Sequence, residues 1–122
     1  MGQLRAIFAG NDLSPNKPER RLRNGLNKMF PGEYKFVGDG KTFIGGKCPD
    51  FINVNGQKKI IELFGTFWHS KKMTGMSRKE YEEQRIKHFA KYGFRTLVIW
   101  QKELENIKKL KRKLIEFQME RR

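Results

Sequence analysis

The chain has 122 residues, enough for one domain with a single core and too few for two. Its 27 Lys and Arg against 13 Asp and Glu leave a net charge of +14, which favours a polyanionic partner, with nucleic acid ahead of a membrane surface. One cysteine excludes an internal disulfide, two histidines leave little from which to assemble a structural zinc site, and with no 18-residue apolar run, signal peptide or lipidation motif the chain reads as soluble and intracellular.

Residues 10–18, GNDLSPNKP, are turn and cap chemistry. Pro18 stands where a helix can begin, and Leu22, Leu26, Met29 and Phe30 recur at helical spacing until Pro31-Gly32, which predicts a helix over residues 17–30. Tyr34–Val37 and a short Thr42–Ile44 piece read as strands separated by the turn Gly38-Asp39-Gly40-Lys41. Asp50–Val54 runs into Asn55-Gly56, a strong two-residue hairpin signal, and Lys59–Leu63 returns, so that a three-stranded meander is expected.

Ser77 lies three residues before Glu80, the capping-box spacing, and opens a second helix with Tyr81, Ile86, Phe89 and Ala90 on its apolar face and Gly93 as its stop. Phe94–Trp100 is the most apolar run and reads as a central strand. Leu104, Ile107, Leu110, Leu114 and Phe117 then give a last amphipathic helix. The order is αβββαβα, an α/β domain with a mixed β-sheet flanked by helices, without internal repeats or linkers.

Asp50 follows Pro49 at the start of a strand, and Glu62 lies on the returning strand, so pairing across Asn55-Gly56 brings both carboxylates toward one edge of the sheet. Two such acids suit a hard cation such as Mg2+, whose octahedral shell takes one or two carboxylates and leaves the rest to water and phosphate. Phosphodiester hydrolysis needs that arrangement. The plainer reading makes Asp50 a turn cap and Glu62 an exposed strand charge.

Beyond Glu62 the stretch ELFGTFWH ends an apolar strand in two adjacent aromatics and a histidine, large rings that are costly to leave in water. His69, at the strand exit, has a side chain suited to accept a proton from water, although lone histidines are more often structural. Glu82 on the second helix has Ile86 rather than a cation four residues on, and Glu19 sits in a first helical turn, where the helix dipole alone accounts for it.

Taken together, Lys47-Cys-Pro-Asp-Phe51, Phe64-Gly-Thr-Phe-Trp-His69, Glu19 and Gly93–Trp100 resemble the very-short-patch repair (Vsr) endonucleases and the related EDxHD homing endonucleases, a branch of the PD-(D/E)XK nuclease superfamily. The resemblance runs from about residue 14 to residue 104. It implies a PD-(D/E)XK, restriction-endonuclease-like core and a Mg2+-dependent DNA endonuclease in which Mn2+ can substitute. Asp50 corresponds to the metal-binding aspartate and Leu63 supplies a backbone carbonyl to the metal. His69 is the catalytic histidine, Glu19 acts in the outer metal shell, and Glu82 takes the last acidic position, with a Glu where an Asp is expected.

Lysine would stand two residues after Glu62 in a common PD-(D/E)XK site, and here that position is Phe64, which gives the lysine's task to His69. No second cysteine exists to complete the repair enzymes' zinc site, so the zinc-free homing branch is favoured over T:G mismatch repair. Phe67 and Trp68 correspond to an aromatic wedge that enters stacked bases, or else a ring, Phe67 first, packs in the core. Lys17, Arg20, Arg21 and Arg23 beside Glu19, and Lys71, Lys72, Arg78 and Lys79 after His69, are placed to meet the backbone of duplex DNA.

The basic series on the last helix, Lys108 to Lys113, is either another DNA face or a solvated exterior. The expected domain is a single endonuclease catalytic unit over 1–122. Its limited surface for reading a long site leaves room for recognition modules in a larger DNA-binding protein. From other classes, a non-catalytic nucleic-acid-binding domain keeps the same fold and charge, and a mismatch-nicking repair enzyme keeps the same chemistry.

Overall fold

Helix α1, Lys17–Met29, starts at a proline whose fixed φ suits a first turn, and it buries Leu22 and Leu26 one turn apart. In this computed structural model residues 17–65 and 77–120 are described. Gly32, at φ +76°, takes the left-handed conformation that ends the run and turns the chain into β1, Tyr34–Phe36. There follow β2, Phe51–Asn53, β3, Lys59–Phe64, α2, Arg78–Ala90, β4, Arg95–Trp100, a 3₁₀ turn at Gln101–Glu105, and α3, Ile107–Met119.

The strands lie in the order β1-β2-β3-β4. β1 and β2 pair antiparallel, as do β2 and β3, while β3 and β4 run parallel with α2 as the crossover. The described residues therefore give the expected αβββαβα order and a mixed sheet between helices.

Three local expectations change. Thr42–Ile44 joins no sheet; Ile44 makes an isolated bridge to Lys47 across Gly45 and Gly46, both at positive φ, so these residues close a tight loop between β1 and β2. The β2–β3 turn is wider than two residues: Phe51 pairs with Ile61, and the Asn53 side chain accepts from the amides of Asn55 and Gln57 at 2.9 and 3.0 Å, bracing a loop through Gly56 at φ +86°. Finally, β4 stands at the edge of the described sheet, and β2 and β3 are its interior strands. β4 is apolar because helices cover its faces, and that covering does not require a strand on both sides.

Alternation along β3 sorts the two layers. Ile61 and Leu63 face a core shared with Leu22 and Leu26 of α1, Ile99 of β4, and Leu110, Leu114 and Phe117 of α3. Ile60, Glu62 and Phe64 face the opposite side, where α2 packs.

Lys59 points into the α3 layer and is 4% exposed. Its Nζ donates to the carbonyls of Phe117, Gln118 and Glu120 at 2.8 to 2.9 Å, so an ammonium caps the carbonyl end of α3. α2 opens with the expected capping box: the Glu80 amide donates to Ser77 Oγ at 3.1 Å and the Ser77 amide to Glu80 Oε1 at 2.9 Å.

Candidate active site

The parallel strands β3 and β4 both end at one side of the sheet, and α1 and α2 close in around that end. A cavity of about 330 Å³ opens there, lined among others by Glu19 of α1, Asp50, Glu62 and Leu63 of the strands, and Tyr81 and Arg85 of α2. Crevices at the carboxyl ends of parallel strands are where α/β folds place their ligands, because the loops diverge there.

Continuing the β2–β3 register one step beyond Phe51–Ile61 sets Asp50 opposite Glu62. The two are locked together through the backbone. The Asp50 amide donates to Glu62 Oε2 at 2.9 Å, and the Leu63 amide donates to Asp50 Oδ2 at 2.8 Å. Arg85 Nε donates to Glu62 Oε1 at 2.8 Å, and its Nη2 donates to the same oxygen and to the Cys48 carbonyl. Glu62 is 1% exposed, so it is a buried partner in a network and not an exposed strand charge.

Burial raises the pKa of Asp50 well above the usual carboxylate range. The Glu62 charge raises it further, and Glu19 adds to the effect, while the Leu63 amide and Arg85 work the other way. Burial also raises Glu62, against the lowering influence of Arg85 and of the Asp50 amide. Acids crowded in this way are the donor set a divalent cation relieves. Among the described residues no three His, Cys, Asp or Glu side chains converge to hold a metal by themselves. Asp50 and Glu62 are carboxylates of the kind that a hard cation such as Mg2+ takes while keeping water in its other positions.

An aromatic wall bounds the cavity. Phe64 packs against Tyr81 and edge-on against Trp100, with ring centroids 5.2 and 5.1 Å apart. The Arg78 guanidinium lies over the Trp100 ring, 4.9 Å from its centroid.

A solved structure, the catalytic domain of the homing endonuclease I-Bth0305I, superposes on this chain with a TM-score of 0.60 and 26% identity, covering 84% of this chain and 94% of that one. This chain has the fold of that domain. A four-stranded mixed sheet flanked by helices is consistent with the PD-(D/E)XK-like core. No family model matches the chain, and no curated protein matches it. Among the described residues no helix is long and apolar enough to cross a membrane.

Of the residues singled out in the sequence, Glu19, Asp50, Glu62 and Leu63 come together in the cavity. Glu82 does not line it; its Oε1 accepts from the Trp100 indole Nε1 at 2.8 Å. Arg78 and Lys79 stand in the first turn of α2, and Lys17, Arg20, Arg21 and Arg23 belong to α1, where Arg21 also donates to the Leu104 carbonyl at 3.2 Å. Phe67, Trp68, His69, Lys71 and Lys72 lie outside the described residues.

Sequence reasoning missed Arg85. A signal for it exists: Tyr81, Arg85 and Phe89 are spaced i, i+4, i+8, which puts a cation between two aromatics on one face of α2, where a charge calls for a partner.

Proposed function

We propose that this chain is a Mg2+-dependent DNA endonuclease domain, of the zinc-free EDxHD homing type within the Vsr-like group, that hydrolyses phosphodiester bonds in duplex DNA. The observation that carries the reading is the acid pair Asp50–Glu62, brought with Glu19 to one cavity in a fold shared with a homing endonuclease catalytic domain. The chain's charge of +14 suits a phosphate backbone, and an acid-lined cavity in so basic a protein suits a cation.

In this reading Asp50 and the Leu63 carbonyl hold the cation, and Glu19 faces it from α1. Glu62 is the less direct candidate as a ligand, because both of its oxygens already accept hydrogen bonds. The bound cation would stabilise charge on phosphoryl oxygens and lower the pKa of an attacking water. Asp50 is held for this task by the Leu63 amide, which fixes one carboxylate oxygen and leaves the other to a ligand. His69 is assigned as proton acceptor, and Phe67 and Trp68 as the rings that open a base step, all three on the strength of the sequence resemblance. Glu82 has one oxygen engaged by the Trp100 indole and does not line the cavity.

Cleavage of duplex DNA by the wild-type protein and by Asp50→Asn, with Mg2+, with Mn2+ and in EDTA, tests the reading. Metal-dependent cleavage that disappears in Asp50→Asn while DNA binding in EDTA persists is the expected result. Absence of cleavage by the wild type with either metal, with binding intact, would leave a nucleic-acid-binding domain.

A further inference from the structure

Arg85 stands one turn beyond Tyr81 and one turn before Phe89, with its guanidinium 5.1 Å from the Phe89 ring centroid. Its side chain is 13% exposed against 1% for its partner Glu62. Three bonds leave it: Nε and Nη2 to Glu62 Oε1, and Nη2 to the Cys48 carbonyl at 3.2 Å. Glu62 Oε2 in turn accepts the Asp50 amide at 2.9 Å. The guanidinium is thus tied to both sides of the buried Pro49: directly to the peptide before it and, through Glu62, to the residue after it. The backbone that carries the Asp50 carboxylate is fastened to helix α2 at two points.

A cation buried beside a site for another cation is unfavourable by Coulomb's law alone. The forked pairing with Glu62 cancels that cost locally, because Arg85 and Glu62 neutralise each other and the negative charge of Asp50 and Glu19 remains for the cavity. We propose that Arg85 is a positioning residue for the cation site at Asp50, acting through Glu62, a role that rests on the metal-dependent reading above. Glu62 is then the strut between α2 and Asp50, and the pair sets where the Asp50 carboxylate points.

Two accounts of Arg85 predict opposite signs. If it is only a nearby positive charge, removing it tightens metal binding. If it positions Asp50, removing it loosens binding, and deleting a partner that orients a metal ligand typically costs ~10-fold or more in affinity.

The test is Mn2+ affinity of the DNA-free protein by electron paramagnetic resonance, with thermal melting to establish folding, for Arg85→Met, Arg85→Lys, Glu62→Gln and the double variant Arg85→Met/Glu62→Gln. The expected result is Mn2+ binding weakened ~10-fold or more in Arg85→Met and in Glu62→Gln, no weaker in the double variant than in the worse single one, and partly restored in Arg85→Lys. Unchanged or tighter binding in folded Arg85→Met, or losses that add in the double variant, overturns the proposal. Should Arg85→Met fail to fold, Glu62→Gln, of nearly the same shape, and Arg85→Lys decide it: wild-type Mn2+ affinity in both overturns it, and loss in Glu62→Gln with a smaller loss in Arg85→Lys upholds it. Asp50→Asn separates the two levels. If that variant binds Mn2+ as tightly as the wild type, the metal site at Asp50 falls and the role of Arg85 with it; if Asp50→Asn loses Mn2+ while Arg85→Met retains it, only the role of Arg85 falls.

Discussion

Asp50 carries opposed demands. Its pKa is raised in the folded protein, so the fold takes up a proton at a pH where the unfolded chain, near the ordinary value of 3.8, has none. A raised carboxylate gives stability that is complete below the unfolded value and is lost as pH rises through the folded one. The metal-free protein should therefore melt at a higher temperature at pH 5 than at pH 7 as far as Asp50 and Glu62 are concerned, since both are shifted upward. Asp50→Asn, which keeps an acceptor for the Leu63 amide, should melt higher than the wild type in EDTA at pH 7 and show a smaller gain on acidification. Melting curves of the two proteins at both pH values check this, and equal pH dependence would refute it. Saturating Mg2+ should raise the melting temperature of the wild type and leave Asp50→Asn unmoved, by mass action on a site present only in the fold. At this scale pairing across the hairpin made Asp50 and Glu62 legible, because it brings two acids opposite each other, whereas Leu63 was reached only through the family resemblance. Arg85 was passed over because the apolar face of α2 was traced through Tyr81, Ile86, Phe89 and Ala90; its spacing between Tyr81 and Phe89 hints at an inward cation, and the bonds to Glu62 make it part of the site.

Elements hold the site by fastening to one another. α2 clamps the long loop between β1 and β2 at two places, with Arg85 on the Cys48 carbonyl and His88 Nε2 2.8 Å from the Ile44 carbonyl. A stable first turn of α2 matters to that clamp, and Ser77 supplies it through the capping box. Ser77→Ala should cost about 1 kcal/mol. For a domain of this size that corresponds to a fall of roughly 4–8 °C in melting temperature. Glu80→Gln, which keeps a side-chain acceptor for the Ser77 amide, should lose less; thermal denaturation of both variants measures the difference. Helix limits were readable because proline, the capping box and Gly93 are local signals. Strand rank was not: Phe94–Trp100 is apolar whether it lies inside the sheet or at its edge under two layers of helix, and periodicity cannot distinguish these. Asn55-Gly56 marked the turn, yet its width depended on the Asn53 side chain capturing two amides.

For the whole molecule, the 27 Lys and Arg overstate the cations that a DNA backbone meets. Lys59 is spent on the end of α3, Arg85 on Glu62, Lys113 on Glu103 at 2.9 Å, and Arg95 on Glu120. If the clusters on α1 and at the start of α2 touch ~6 phosphates, the slope of log K against log salt should approach about −5, well short of what 27 cations would suggest. Fluorescence anisotropy with a labelled duplex in EDTA across a salt series measures it, and a slope near zero would detach the charge from DNA binding. Charge-reversing Arg20 or Arg23 should lower affinity and flatten the slope by about 1 for each phosphate that the variant no longer reaches.

The Lys59 ammonium also sets an order of events as the chain is made. β3 is synthesised more than fifty residues before Phe117, Gln118 and Glu120, whose carbonyls receive that ammonium. Until they leave the ribosome, packing the α3 layer over β3 would bury a cation with no acceptor, at a cost of several kcal/mol. That face of β3 should therefore stay uncovered on the nascent chain and close only after the end of α3 is released. A polypeptide stopped at Glu116 should remain unfolded, and Lys59→Met in that shortened polypeptide should recover part of the missing structure by circular dichroism.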